Sequence, residues 1–234
     1  MAEFVLVAGA WLGGWAWDEV APELRAAGHG VHPVTLPGLA EKREETAVGQ
    51  QAHVREIVEA VETGGLSEVV LVGHSYSGIP VGQAAERIGE RLARVVFVDS
   101  EVPVDGESFA SGWWQGPAEL EASLEKNGGS WALPTAPDFE GQGLTDEQIA
   151  RFLGAATPHP GASLTEPAVL DRPLGELPAT YLKCLLDGPE PNPTVAALLT
   201  SARWELVELD TGHWPMFSRP GELAQILLHS APAA

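Results

Sequence analysis

The chain has 234 residues, 44% of them hydrophobic, and a formal net charge of −20 from 33 acidic against 13 basic side chains. That length suits one core of good size with room for an insertion, and the apolar share with charges of both signs excludes a disordered chain. So acidic a surface repels phosphate backbones and anionic lipid, which disfavours nucleic-acid and membrane roles but says little about a small buried site.

Residues 4–8 form a short apolar run that ends at Gly9, the pattern of a buried parallel strand. A loop rich in glycine and tryptophan follows, from Ala10 through Trp11 and Trp15 to Trp17. A helix is expected over 18–27, a second strand over 29–35 and an amphipathic helix over 48–63, with Val54, Ile57, Val58 and Val61 on one side. Val69 to Val72 then run into Gly73-His74-Ser75-Tyr76-Ser77-Gly78, and a helix leaves over 77–91. A serine at the centre of a glycine-flanked turn between strand and helix is pushed out above the sheet end, the geometry of a nucleophile elbow. The usual G-x-S-x-G pattern is met except at its last glycine, where Ser77 stands.

A fourth strand over 94–98 ends in Asp99-Ser100, and the alternation then breaks. Residues 101–177 carry many prolines and glycines, Trp113, Trp114 and Trp131, and helical patterns over 117–127 and 145–155. So many large apolar side chains suit an inserted, mainly helical cap better than a linker. The α/β pattern resumes with a strand over 180–186, which holds the lone Cys184, a helix over 194–201, a strand over 204–209 and a helix over 220–229. One cysteine excludes an intrachain disulfide framework and a multi-cysteine metal site. With no basic n-region at the start and no apolar run near the ~20 residues that span a bilayer, the chain reads as soluble and cytoplasmic.

Six short apolar strands alternating with helices imply a parallel sheet covered on both faces, a core of residues 1–100 and 178–234 interrupted by the cap at 101–177. Right-handed crossovers bring the C-terminal strand ends to one edge, where ligands bind. Ser75, Asp99, Asp187 and His213 all follow strand ends.

A serine hydroxyl needs a base, and His213, on the loop after the last strand, is the candidate. His74 adjoins Ser75, but neighbouring elbow side chains diverge; His29, His32, His53, His159 and His229 read as structural or exposed. The base needs a carboxylate to fix its tautomer, for which Asp187 leads, Asp99 is the rival and Asp210 is too close along a turn. The order Ser75, Asp187, His213 is that of α/β-hydrolases. Backbone N–H groups of Tyr76 and Ala10 are the expected oxyanion donors. No His/Asp/Glu cluster has metal-ligand spacing along the chain, and neither metal nor cofactor is expected.

These motifs resemble the compact plant-esterase and hydroxynitrile-lyase (methylesterase-like) group of the α/β-hydrolase superfamily over nearly the whole chain. Residues 5–17 are similar to that group's oxyanion-loop signature, Gly73 to Gly78 to its elbow, and Gly212-His213-Trp214-Pro215 to its histidine loop. The resemblance implies hydrolysis of small carboxylic esters, methyl esters included, without a cofactor. The chain departs from the group at Ala8, where a histidine usually orders the oxyanion loop, and at Trp214, where lyase members carry a lysine that helps accommodate cyanide. Trp11, Trp15, Trp113, Trp114, Trp131 and Trp214 are candidate walls of an apolar pocket. Two other readings keep the triad: carbon–carbon bond cleavage or cyclisation of a biosynthetic intermediate, and a ligand receptor with a residual triad, prompted by Ala8.

Overall fold

The computed structural model describes residues 1–45, 48–113 and 115–232. Its eight strands are β1 (Glu3–Val7), β2 (Gly30–Val34), β3 (Val69–His74), β4 (Leu92–Val98), β5 (Ser130–Trp131), β6 (His159–Pro160), β7 (Ala179–Cys184) and β8 (Trp204–Leu209). Six form one sheet in the order β2-β1-β3-β4-β7-β8, every pair parallel. β5 and β6 pair antiparallel in a separate two-stranded ribbon.

The expected α/β layering follows from side-chain alternation. Val5, Val7, Val69, Leu71, Val95 and Phe97 enter one buried cluster, while Phe4, Leu6, Val70, Val72, Val96 and Val98 enter the other. A strand apolar at every position has no solvent face and needs helices on both sides. The helices Gln50–Thr63 and Gly78–Ile88 supply Val54, Ile57, Val81 and Ala84 to the first cluster. Leu24 comes to the second from the helix Ala21–Ala26, and Leu223 and Leu227 from Pro220–His229.

Chain order reverses at β1: β2 lies on one side of it and β3 on the other. The crevice beyond the carboxyl ends of β1 and β3 is therefore a topological switch point, where open α/β sheets bind ligands. Gly9 and Ser75 lie at that crevice, so close that a Cβ added to Gly9 would sit 2.8 Å from Ser75 Cβ.

The segment between β4 and β7 contains the helices Pro117–Lys126, Asp146–Ala155 and Gly161–Thr165 besides the β5–β6 ribbon. The two longer helices match the expected patterns; strands of two residues are too short to show any period. At the expected strand 180–186, the last residues turn into a 3-10 element, Leu185–Asp187, which carries Asp187 off the sheet. Among the described residues, no helix is long and apolar enough to cross a membrane.

Glycine is required at the elbow one position later than the motif predicts. A Cβ on Gly78 would lie 2.0 Å from the Glu101 carbonyl oxygen and 2.4 Å from Ser100 Oγ. Backbone cannot yield as a side-chain tip can. Gly78→Ala is therefore expected to destabilise the fold by ~1–3 kcal/mol, read from the midpoint of urea unfolding.

Candidate active site

β3 delivers Ser75 in a left-handed conformation, φ 55°. Such a backbone costs a non-glycine residue ~1–2 kcal/mol and persists only where its surroundings fix it. Trp11 (φ 66°) and Asp99 (φ 41°) share this strain, and all three follow strand ends at the same edge.

Ser75 Oγ lies 2.9 Å from His213 Nε2, and His213 Nδ1 lies 2.8 Å from Asp99 Oδ2. Asp187 Oδ2 is 3.4 Å from the same Nδ1. A neutral imidazole protonated on Nδ1 donates to a carboxylate there and accepts the serine hydroxyl at Nε2. The two carboxylates differ in setting. Asp99 is 2% exposed in its side chain and Asp187 45%. Asp99 Oδ1 accepts from Lys183 Nζ at 2.7 Å and from the Cys184 N–H at 3.1 Å, leaving Oδ2 for the histidine. Lys183, itself buried, also donates to the Asp187 carbonyl at 3.0 Å. The shorter and better-anchored contact is thus to Asp99, the expected rival, rather than to Asp187, the expected leader.

Burial alone would depress the His213 pKa, but hydrogen bonds to Asp187 and Asp99, with their charges, outweigh it and push it up to about 9. Asp187 in turn is held well below the usual carboxylate range, chiefly by its bond to His213. Asp99, Asp187 and His213 offer ligand atoms within 4.8 Å of one another. A metal there would take the Nδ1 lone pair and so place the imidazole proton on Nε2, which could then no longer accept from Ser75, so the donor set suits a proton relay better than a cation.

His74 has a part that sequence reasoning missed. Its Nδ1 accepts the Gly9 N–H at 3.2 Å, and its Nε2 lies 2.7 Å from the His213 carbonyl. It is fully buried, and burial first, then the His213 charge, holds its pKa well below the ordinary value. Ser77, in the position of the missing glycine, donates its hydroxyl to the Ala8 carbonyl. The loop after β1 is tied further by Gly14 N–H to Thr35 Oγ1 at 2.8 Å and Thr157 N–H to the Trp11 carbonyl at 3.0 Å. Absence of a histidine at position 8 therefore does not leave this loop slack.

Ala10 and Tyr76, the expected oxyanion donors, follow Gly9 and Ser75 directly and are buried. The Tyr76 phenol lies 2.9 Å from His53 Nδ1, whose Nε2 meets the Pro37 carbonyl at 3.0 Å. Burial pushes His53 down to about 4 despite that backbone bond, so it is neutral and can accept from the phenol.

A cavity of about 350 Å³ opens at Ser75 and His213, walled by Phe109, Trp131 and Tyr181 and edged by Glu101, Asp187 and Glu190. Of the candidate tryptophans, Trp131 reaches this cavity, and Trp11 backs it with ring centroids 4.2 Å apart and an indole N–H to the Trp131 carbonyl. Trp113 packs on Phe109 and Trp131 and lines a neighbouring cavity of about 180 Å³. Trp15 contacts Phe217 on the far face, and Trp214 is buried against Phe139 and Phe152, so neither belongs to the wall. Trp114 lies outside the described residues. Phe109 and Glu190 gave no sign in the sequence, whereas Glu101 could have been flagged by its place just past Asp99 at a strand end.

Residues 4–226 match the model of the alpha/beta hydrolase family. The chain belongs to that family. It is 31% identical to a carbendazim-hydrolysing esterase of Nocardioides sp. (strain SG-4G), over 97% of this chain and 98% of that protein. Methylesterase 9 of Arabidopsis thaliana is 29% identical, over 99% and 98%. Among solved structures, an extracellular α/β-hydrolase of a Paenibacillus species superposes with a TM-score of 0.87 at 24% identity over the full length of both chains.

Two expectations follow for this α/β-hydrolase. Asp99→Asn should lower kcat/KM by ~10³–10⁴-fold, in the range of triad-carboxylate losses, and Asp187→Asn by less; the reverse order would return the main role to Asp187. A general base must be neutral, so kcat/KM should rise with pH to an inflection near 9. Loss of either carboxylate removes a charge that favours imidazolium, so the inflection should move to lower pH in both variants.

Proposed function

We propose that this protein is a serine hydrolase of small carboxylic esters, methyl and aromatic esters among them, working through an acyl-enzyme. The observation that carries the reading is the contact of Ser75 Oγ with His213 Nε2 at 2.9 Å, continued at 2.8 Å from Nδ1 to Asp99. The names of the Nocardioides and Arabidopsis relatives, an esterase and a methylesterase, support it.

In this reading His213 takes the Ser75 proton as Oγ attacks the ester carbonyl, and Asp99, with Asp187 beside it, stabilises the imidazolium. The N–H groups of Ala10 and Tyr76 receive the oxyanion, each a contribution of ~3–4 kcal/mol in sites of this kind. The tetrahedral species collapses, His213 protonates the departing alkoxide, and the alcohol leaves. Water then repeats the cycle with His213 as base, and Ser75 is regenerated with release of the acid. Residues 101–177 act as a cap, contributing Phe109 and Trp131 to the wall. A cavity of about 350 Å³ suits small substrates. The fastened oxyanion loop removes the main reason for considering a receptor that binds without turnover.

Ser75→Ala should lower p-nitrophenyl ester hydrolysis by at least ~10⁴-fold and abolish labelling by a fluorophosphonate. Turnover near that of the wild type would end the assignment.

A further inference from the structure

The charge lining the cavity has a chemical consequence. Asp99, Glu101, Asp187 and Glu190 border it, against one permanent cation, Lys183, and the titratable His213. Two of these carboxylates are accounted for: Asp99 by Lys183 and His213, Asp187 by His213. Glu101 and Glu190 are not. Among the described residues neither forms an ion pair; Glu101 accepts one hydrogen bond, from Asn192 Nδ2 at 3.1 Å, and Glu190 none. Lys183 is buried and bonded to Asp99, and His213 is paired with Asp99 and Asp187, so among the described residues no unpaired cation lines the cavity to receive an anionic substrate. Loss of solvation raises the Glu101 carboxyl pKa and the Asp99 charge adds to the rise, against His213 and Lys183.

Phe109 and Trp131 line the same cavity, their rings tilted and 5.9 Å apart. Aromatic faces beside unpaired carboxylates attract a weakly hydrated cation by their quadrupole as well as by charge. We propose that the cavity selects esters carrying a cationic nitrogen, a quaternary ammonium or protonated amine, held by Glu101 and Glu190 against Trp131 and Phe109. The inference rests on Ser75 being the nucleophile of an esterase. It also bears on product release, because the carboxylate formed by hydrolysis is repelled by the same side chains.

The test uses two isosteric pairs. One varies the alcohol, choline against 3,3-dimethylbutyl acetate, followed by acid release. The other varies the acyl group, p-nitrophenyl 4-(trimethylammonio)butyrate against p-nitrophenyl 5,5-dimethylhexanoate. The larger of the two cationic-to-neutral ratios of kcat/KM should be ~10 or more at low ionic strength, a gain in the range of a desolvated cation–π contact. It should fall toward one in ~1 M salt, which screens charge. Combined Glu101→Gln and Glu190→Gln should bring it below ~3, and should the variant not fold, the salt series on the wild type reads the same term. Ratios below ~3 on both pairs, or a larger ratio that salt leaves unmoved, would overturn the proposal. Fluorophosphonate labelling of Ser75 separates the failures: labelling without charge preference removes only this proposal, and no labelling removes the esterase reading with it.

Discussion

One buried imidazole, His74, sets the geometry on which the rest of the site depends. It joins the loop after β1, through the Gly9 N–H, to the loop after β8, through the His213 carbonyl, while its own backbone leads into Ser75. Those two bonds require a lone pair on Nδ1 and a proton on Nε2, the neutral imidazole in a single tautomer. Burial supplies that condition by holding the pKa well below the ordinary value. A change that removed the ring would strand the buried Gly9 N–H, a loss of ~1–3 kcal/mol, and leave the part-buried His213 carbonyl without this partner. It would also uncouple His213 from Ser75 and from the loop after β1 in one step.

That coupling makes sense of the strain. Left-handed backbone at Trp11, Ser75 and Asp99 is unfavourable at each position, and all three lie at the edge where β1, β3 and β4 end. It is held by contacts that leave little alternative: Ser77 on the Ala8 carbonyl, Thr157 on the Trp11 carbonyl, Lys183 and the Cys184 N–H on Asp99. Beneath them the sheet is apolar on both faces, and burial of side chains such as Phe4, Leu6 and Phe97, ~1.5–3 kcal/mol each, is large against the strain. Stability is made in the sheet, and the deviations it permits are gathered at its edge.

The sheet was legible in the sequence because strands buried on both faces are near-continuous apolar runs, and Val69 to Val72 is such a run. The site was legible as far as order along the chain reaches: serine, aspartate and histidine after successive strands. Order does not discriminate between Asp99 and Asp187, since β4 and β7 are neighbours and both ends reach His213. The difference lies in the third dimension, in the burial of Asp99 and its bond to Lys183, a lysine within a strand that reads as apolar. Ala8 and Ser77 looked like two separate departures from motif, and in space they are one hydrogen bond. His53 and His159 gave no clue in sequence to their place beneath the elbow, with ring centroids 5.7 and 4.5 Å from that of Tyr76.

In the proposed mechanism, two carboxylates on one histidine pull catalysis in opposite directions. Each favours imidazolium, which steadies the charge that develops as Ser75 loses its proton, but each also lowers the fraction of His213 that is neutral near pH 7. General-base efficiency peaks when the base's pKa lies near the working pH, and about 9 is past that point for a neutral medium. Lys183 limits the excess. Its ammonium, 2.7 Å from Asp99 Oδ1, offsets one of the two negative charges and thereby moderates their pull on the imidazole. An acidic cleft without that lysine would hold its histidine protonated more tightly still. In that mechanism the buried ion pair bears on base strength more than on stability, consistent with the modest net worth of buried pairs in folding.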